Sequence, residues 1–510
     1  MDKVITNKIF MSFDMLDIID NSAEKNLWKQ STFNLNMKEL SKIFKESGIF
    51  KIQKNEDNKL KFEYFKLNKM FNSFLSTEND ENKILITIVK DNLKKFKNIK
   101  IQNVNTEDNK LKKECIFSVN GIKFHFFKSG IIFIELKIIV FQNEILENTS
   151  WINTIFGDKS TKLHKNDNLA FEMDNKKYNS TRFFYDLLGK DIEQICLKIA
   201  TSLYGSKLSQ LILKDSFYQL LRENSYVFNA YYTDEKEANK IANSFLEMNY
   251  LEYSPLNLVD NSWVYSQRDF NAYFKNNNSI FKIENHKLFD LKKDNEKMNK
   301  NEKKEKEEKN KKVVNYLTNK VNYCYYFIYL MTLHYKIFLT KIIDHLVTTF
   351  DSKDPMKNVQ IKQLEDNIEL INFYKKLMFQ YKIFLPSNKS SDLNEYFLEL
   401  KKSMQIEENE AILEWHLESY NNIYKDIKQM KKENRSLLYG MWAAIFGILL
   451  SAASLLQGIS VLFDLQNNFL LITVILIILI LLIPGVIAWF LYKIQLNQIA
   501  IKQKTWKINE

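Results

Sequence analysis

Three cysteines, four prolines and ten glycines are all that 510 residues contain of these types. Cys115, Cys196 and Cys324 lie far apart in no metal-ligand spacing, which argues against a zinc site or a disulfide framework and suits a reducing compartment. So little glycine nearly excludes the glycine-rich loops that cradle nucleotide phosphates. Nucleophile motifs and metal-ligand clusters of the kinds that identify enzymes are missing too, so the chain reads as a non-enzyme with no required cofactor. His334 and His345 stand three helical turns apart, too far for one metal shell, and read as ordinary core or surface histidines. The start, "MDKVITNKIFMSFDML", lacks the unbroken apolar run of a signal peptide, which predicts a cytoplasmic body.

What the chain does have is two long apolar runs near its end. Neither Leu437 to Phe463 nor Phe469 to Tyr492 carries a charge, and each exceeds the roughly 20 apolar residues that cross a bilayer. They predict transmembrane helices over 437–463 and 469–492, joined by a loop at 464–468. Lys425, Lys428, Lys431, Lys432 and Arg435 precede the first run, and Lys493, Lys502, Lys504 and Lys507 follow the second. The loop Asp464-Leu465-Gln466-Asn467-Asn468 has no basic residue. Basic flanks stay on the cytoplasmic side, so both termini, including the basic tail 493–510, are expected inside the cell's inner membrane. Much of the net charge of +11 sits near these spans and in one linker, where anionic lipid accounts for it; direct nucleic-acid binding is not expected.

Residues 1–290 predict an α+β body, in one piece or in two lobes divided near 150–180. In "ECIFSVNGIKFHFFKSGIIFIELKIIVF", Asn120-Gly121 signals a two-residue hairpin and Ser129-Gly130 a second turn into a strand over Ile131 to Phe141, a β-meander. Lys83 to Asp91 reads as another strand, Thr181 to Gly205 and Asp234 to Tyr250 as helices. The charged stretch 291–312 reads as a flexible linker, because it has almost no apolar surface to bury. Residues 313–436 read as a helical bundle and stalk. Within it, Val313 to Phe350 is a core helix interrupted by Lys320, His334, Lys336 and Lys341, followed by a helix over Asn358 to Leu385. Asp392 to Arg435 has no Gly or Pro and predicts one stalk helix of about 66 Å that continues into the first span.

Small residues recur along that span at Gly440, Ala444, Gly447, Ser451, Ser454 and Gly458, in steps of four and three that keep them on one stripe. Such a stripe lets membrane helices pack closely or lines a pore. The second span has no comparable stripe, so a ring oligomer is expected, with a packing seam or a dimer as the alternative. Glu410, Glu414 and Glu418 recur at four-residue spacing, with Glu407 and His416 nearby. They form a solvated face, or between subunits a weak divalent-cation site.

This layout resembles the CorA-like two-span membrane proteins. The shared features are an α/β cytoplasmic domain, helices ending in a stalk that enters the first span, and a basic tail. Asn434-Arg435 resembles the start of the family's pore helix, which would make it the gate region. The family's Gly-Met-Asn is replaced here by Gly458-Ile459-Ser460, with Asp464, Asn467 and Asn468 in the loop beyond. The resemblance implies a homopentamer and permeability to a cation such as Mg²⁺, which sheds its hydration shell reluctantly. Loss of the hallmark and the large body look like a divergent branch found beside type III CRISPR systems. Members of that branch are antiviral membrane effectors whose cytoplasmic domain binds a nucleotide messenger, such as a conjugate of S-adenosylmethionine and AMP. The remaining alternatives are a Mg²⁺ transporter and a membrane-anchored enzyme or scaffold.

Overall fold

The computed structural model describes residues 3–14, 50–52, 85–90, 97–104, 111–127, 131–140, 169–173, 175–179, 225–233, 263–266, 270–275, 278–284, 300–350 and 390–463, with single positions elsewhere. The chain forms two compact units, Met1–Thr349 with Phe373–His416, and Phe350–Asn372 with Leu417–Glu510. The first holds a 12-stranded sheet. Its strands are β1 (Lys3–Asp14), β2 (Phe50–Ile52), β3 (Leu85–Lys90), β4 (Ile99–Val104), β5 (Leu111–Phe127) and β6 (Ile131–Val140). Then come β7 (Leu169–Met173), β8 (Lys176–Asn179), β9 (Ser225–Thr233), β10 (Trp263–Ser266), β11 (Phe270–Lys275) and β12 (Asn278–Glu284).

The order is β10-β11-β12-β9-β1-β6-β5-β4-β7-β8, and all neighbours are antiparallel except the parallel pair β12–β9. Strand β5 forks the sheet: Leu111 to Phe117 pairs with β4, while Lys123 to Phe127 pairs with β3, which also holds β2. Strands on both sides of residues 150–180 belong to this one sheet. The central strand β6, IIFIELKIIV, is buried on both faces over most of its length, which explains a run of β-branched residues where a half-exposed strand would alternate.

Asn120-Gly121 does not turn a hairpin. It is a bulge inside the 17-residue β5, between the pairs Val119↔Ile138 and Gly121↔Lys137. A Cβ on Gly121 would lie 3.3 Å from Lys137 Cβ, so glycine serves close strand approach here rather than a turn. The reversal falls between β5 and β6, where Ser129-Gly130 had been expected to place it.

The helices are α1 (Lys300–Lys320), a π-helical turn (Val321–Tyr325), α2 (Tyr326–Phe350), α3 (Ser391–Ser403) and α4 (Ile406–Phe463). Residues 300–312, read as flexible linker, are therefore helical. In sequence, Glu stands four residues before Lys at 302/306, 305/309, 307/311 and 308/312, the order that favours a helix. Helix α2 starts as a core helix buried nearly all round: Tyr326, Tyr329, Leu330, Leu333, Phe338 and Leu339 are all enclosed. Phe10 and Phe228 of the sheet meet the Tyr326 and Tyr329 rings at centroid distances of 5.2–6.0 Å. Tyr325 packs edge-on against Tyr396 of α3 at 4.8 Å, and α3 lies along β10 and β11.

The expected single stalk helix from Asp392 is two helices. Gln405 takes a left-handed backbone (φ 53°) after Met404, ending α3 and restarting the chain as α4. No Gly or Pro announces this break. From Ile406, α4 runs unbroken for 58 residues, about 87 Å. Among the described residues it is the one helix long and apolar enough to cross a membrane, and none of its apolar window is buried. The fold is thus α+β with one long apolar helix towards the C-terminus. The second span 469–492, apart from helical Thr473 and Ile477, lies outside the described residues, as do Asp464, Asn467, Asn468, the tail 493–510 and the helices expected over 181–205 and 234–250. Of the helix expected over 358–385, Ile368, Glu369, Ile371, Asn372, Lys375, Met378 and Phe379 are helical.

Candidate functional site

The first unit has an ionic cluster between sheet and helix. Alternation along the paired strands puts Lys8 and Phe10 of β1, His125 of β5 and Phe133 and Glu135 of β6 on the face beneath α2. Glu135 Oε1 lies 3.3 Å from Lys8 Nζ. Its Oε2 accepts from His125 Nε2 at 2.7 Å and from the Tyr326 hydroxyl, the first residue of α2, at 2.5 Å. The Lys8 ammonium also sits 3.1 Å from the centre of the Tyr326 ring, a cation–π contact. Lys8, His125 and Glu135 are all buried.

Burial opposes charge on Glu135, but Lys8, Lys123 and His125 together hold its carboxyl well below the usual range. Burial pushes Lys8 down to about 8 against the pull of Glu135, lowers His125, and with Glu135's charge raises Tyr326 well above an ordinary phenol. At neutral pH one cation and one anion are enclosed with two neutral donors, so the cluster carries no net charge. Such an arrangement fixes the register of α2 on the sheet. Closed off on all sides, it is built for cohesion rather than for turnover.

Sequence reading missed this cluster, although Glu135 was its signal: a lone acid in the middle of a strand apolar on both faces requires a partner. His334 behaves as expected of a core histidine. It stacks on Phe127 at 3.8 Å and 9°, and burial lowers its pKa to about 3. An unfolded chain takes up a proton near pH 6.5 that the native His334 refuses, so stability is lost as pH falls through the window from 6.5 to 3. Each fully titrating histidine contributes a slope of about 1.4 kcal/mol per pH unit. His334→Phe, which keeps the stack, is expected to flatten the fall of Tm between pH 7 and 5, leaving the share due to His125. An unchanged acid slope would remove His334 as its source.

The carboxylates of α4 do not form one ridge. Glu410 turns into the first unit, accepting from the Tyr335 hydroxyl at 2.5 Å with Lys401 Nζ 3.8 Å away. Glu414 is half-buried and Glu418 exposed. Steps of four residues overshoot a turn by about 40°, which winds the three from core to solvent. Among the described residues no group of three His, Cys, Asp or Glu side chains is placed to hold a metal ion.

Along α4 the covered and open faces keep their phase. Ile406, Leu413, Leu417, Tyr424 and Ile427 are buried, and Met441, Ile445, Leu449 and Ala452 are half-buried on the same side. Stepping about 100° per residue, Gly440, Ala444, Gly447, Ser451, Ser454 and Gly458 fall on the opposite, exposed side. A Cβ added at Gly440, Gly447 or Gly458 would meet nothing within 4 Å. Ser451 and Ser454 donate to the Gly447 and Leu450 carbonyls of their own helix at 2.8 and 2.9 Å. Asn434 is half-buried and Arg435 exposed. Among the described residues, the side of α4 that the chain covers is therefore not the small-residue stripe. Comparison with protein-family models, curated proteins and solved structures finds no match to this chain.

Proposed function

We propose that the chain is a membrane effector of the CorA-like kind, a channel whose cytoplasmic α+β body senses a small ligand and changes the permeability of the membrane. The observation that carries this reading is α4, a single helix packed into the first unit at Glu410 and bearing 30 residues later an open stripe of small residues with no covering group among the described residues. A simple anchor needs hydrophobicity only, whereas a stripe on the side away from the chain's own seam fits close packing between copies or the lining of a pore. The ring of five, the S-adenosylmethionine–AMP conjugate as messenger and a place in type III CRISPR defence follow from the resemblance. Gly458-Ile459-Ser460 in place of Gly-Met-Asn favours the effector over a Mg²⁺ transporter.

Occupancy would gate only if the ligand binds the open and closed states unequally. Ion flux from liposomes holding the purified protein tests this, with and without nucleotide messengers, that conjugate included. Messenger-dependent leakage is the expected result. Messenger-independent Mg²⁺ flux would replace this reading with the transporter, and vesicles tight under every condition would leave an anchored enzyme or scaffold.

A further inference from the structure

Basic residues recur along α4 ahead of its apolar part: Lys425, Lys428, Lys432 and Arg435, in steps of three, four and three. The same alternation leads on to Tyr439, Trp442 and Phe446, so the row changes from basic to aromatic without leaving its face. All of it belongs to the second unit. At about 100° per residue, the row lies about a third of a turn from the small-residue stripe. It lies about as far from the side on which Met441, Ile445, Leu449 and Ala452 are half-buried. Around its entry into the apolar part, α4 thus has three faces, and this third one carries the charges and the large rings.

Tyr439, Trp442 and Phe446 are 70%, 53% and 61% exposed, and the rings of the last two lie 6.4 Å apart. Lys425, Lys432 and Arg435 are exposed, and none of the three makes an ion pair among the described residues. The acids of this stretch, Asp426 and Glu433, stand off the row, and Glu433 accepts instead from Gln429 Nε2 at 2.9 Å. Lys431, beside the row, has its pKa lowered by burial and by the charge of Arg435. Like charges three and four residues apart destabilise a helix unless an anion answers them. Arg435 stands about 6 Å before Tyr439 along the axis, which matches the roughly 5–8 Å headgroup layer of one leaflet. Tyr and Trp rings settle at the inner edge of that layer. Lys432, one turn further back, reaches the same layer along its flexible stem.

We infer that this face holds an anionic phospholipid of the leaflet that α4 enters first. Its phosphate lies between Lys432 and Arg435, and its glycerol and upper acyl chain lie along Tyr439, Trp442 and Phe446. A guanidinium and an ammonium at one depth suit a phosphate, to which arginine can bond through two N–H groups at once. A zwitterionic headgroup would bring its own cation against the row, so the face selects lipids of net negative charge. The inference rests on α4 entering a membrane and not on the chain being a channel.

The test is quenching of tryptophan fluorescence in the full chain reconstituted in phosphatidylcholine vesicles. The quencher is acyl-brominated phosphatidylglycerol or, in parallel, acyl-brominated phosphatidylcholine. Trp442→Phe identifies the share of the signal that comes from this face. In that share phosphatidylglycerol is expected to bind at least about fivefold more tightly, the effect of one basic residue near an anionic surface. K432Q/R435Q is expected to bring the ratio to about one, whereas K311Q/K312Q, which removes the same charge from α1, keeps it. Equal quenching by the two lipids in the native chain would overturn the inference, as would a preference unchanged in K432Q/R435Q. A preference abolished by soluble inorganic phosphate would assign the row to a soluble anion and overturn it too. Quenching of Trp442 by neither lipid would remove the membrane span itself, and the lipid site with it. Flux is not measured in this assay, so failure of the channel reading leaves the lipid site standing.

Discussion

Replacing Glu135 by leucine is expected to destabilise the α+β unit by about 3–5 kcal/mol, the range for breaking a buried ion pair from one side. Lys8 would remain enclosed over the Tyr326 ring with its anion gone, and His125 and the Tyr326 hydroxyl would lose their shared acceptor. The native protein tolerates the charges because Glu135 satisfies three donors at once. Lys8→Met/Glu135→Leu removes both charges together and keeps the volume. His125 Nε2 and Tyr326 OH, already 3.4 Å apart, can then bond to each other. The double variant is therefore expected to recover most of the loss, and urea unfolding of the two single variants and the double closes the cycle. Equal, additive losses in both singles would mean that the pair does not act as a unit. If Glu135→Leu costs less than about 1 kcal/mol, the charges are solvated in solution and the cluster does not hold α2 on the sheet.

How far the sequence could be read depended on whether a signal was local. The strand content of "IIFIELKIIV" and "SYVFNAYYT" is carried by β-branched and aromatic residues, and both are strands, as are "LITIVK" and "WVYS". Asn120-Gly121 misled because the same dipeptide serves a hairpin and a bulge, and the choice is made by the distant approach of Lys137. Residues 300–312 misled in the other direction. They have little apolar surface to bury, yet the spacing of Glu before Lys supports a helix without a core. The break at Gln405 had no sequence mark, since an ordinary side chain occupies a left-handed position held by Met404 N to Leu400 O and Gln405 N to Lys402 O. The cluster at Glu135 needed knowledge of which strands are neighbours: Lys8, His125 and Tyr326 are 127, 10 and 191 residues from it along the chain, so no spacing rule joins them.

Gly447→Leu is expected to abolish ligand-dependent flux, and to disperse the oligomer or block its pore, while the α+β unit unfolds at an unchanged temperature. The argument turns on where a side chain at 447 would go. A Cβ there meets nothing within 4 Å, and the residue lies opposite the side on which Met441, Ile445, Leu449 and Ala452 are half-covered. Leucine at this position therefore collides with no described part of its own chain, and helix propensity rises by somewhat less than about 1 kcal/mol on loss of glycine. An isolated chain gains from the change if anything. A defect must come from something outside it that approaches the helix closely, another copy or the permeating path. Ser454→Leu, two steps further along the same stripe, is expected to act in the same way. Leu450→Ala and Leu455→Ala, at exposed positions off the stripe, are expected to leave flux and assembly intact. Native flux and native mass by light scattering in both stripe variants would show that nothing packs there, and α4 would then serve the membrane as an anchor alone.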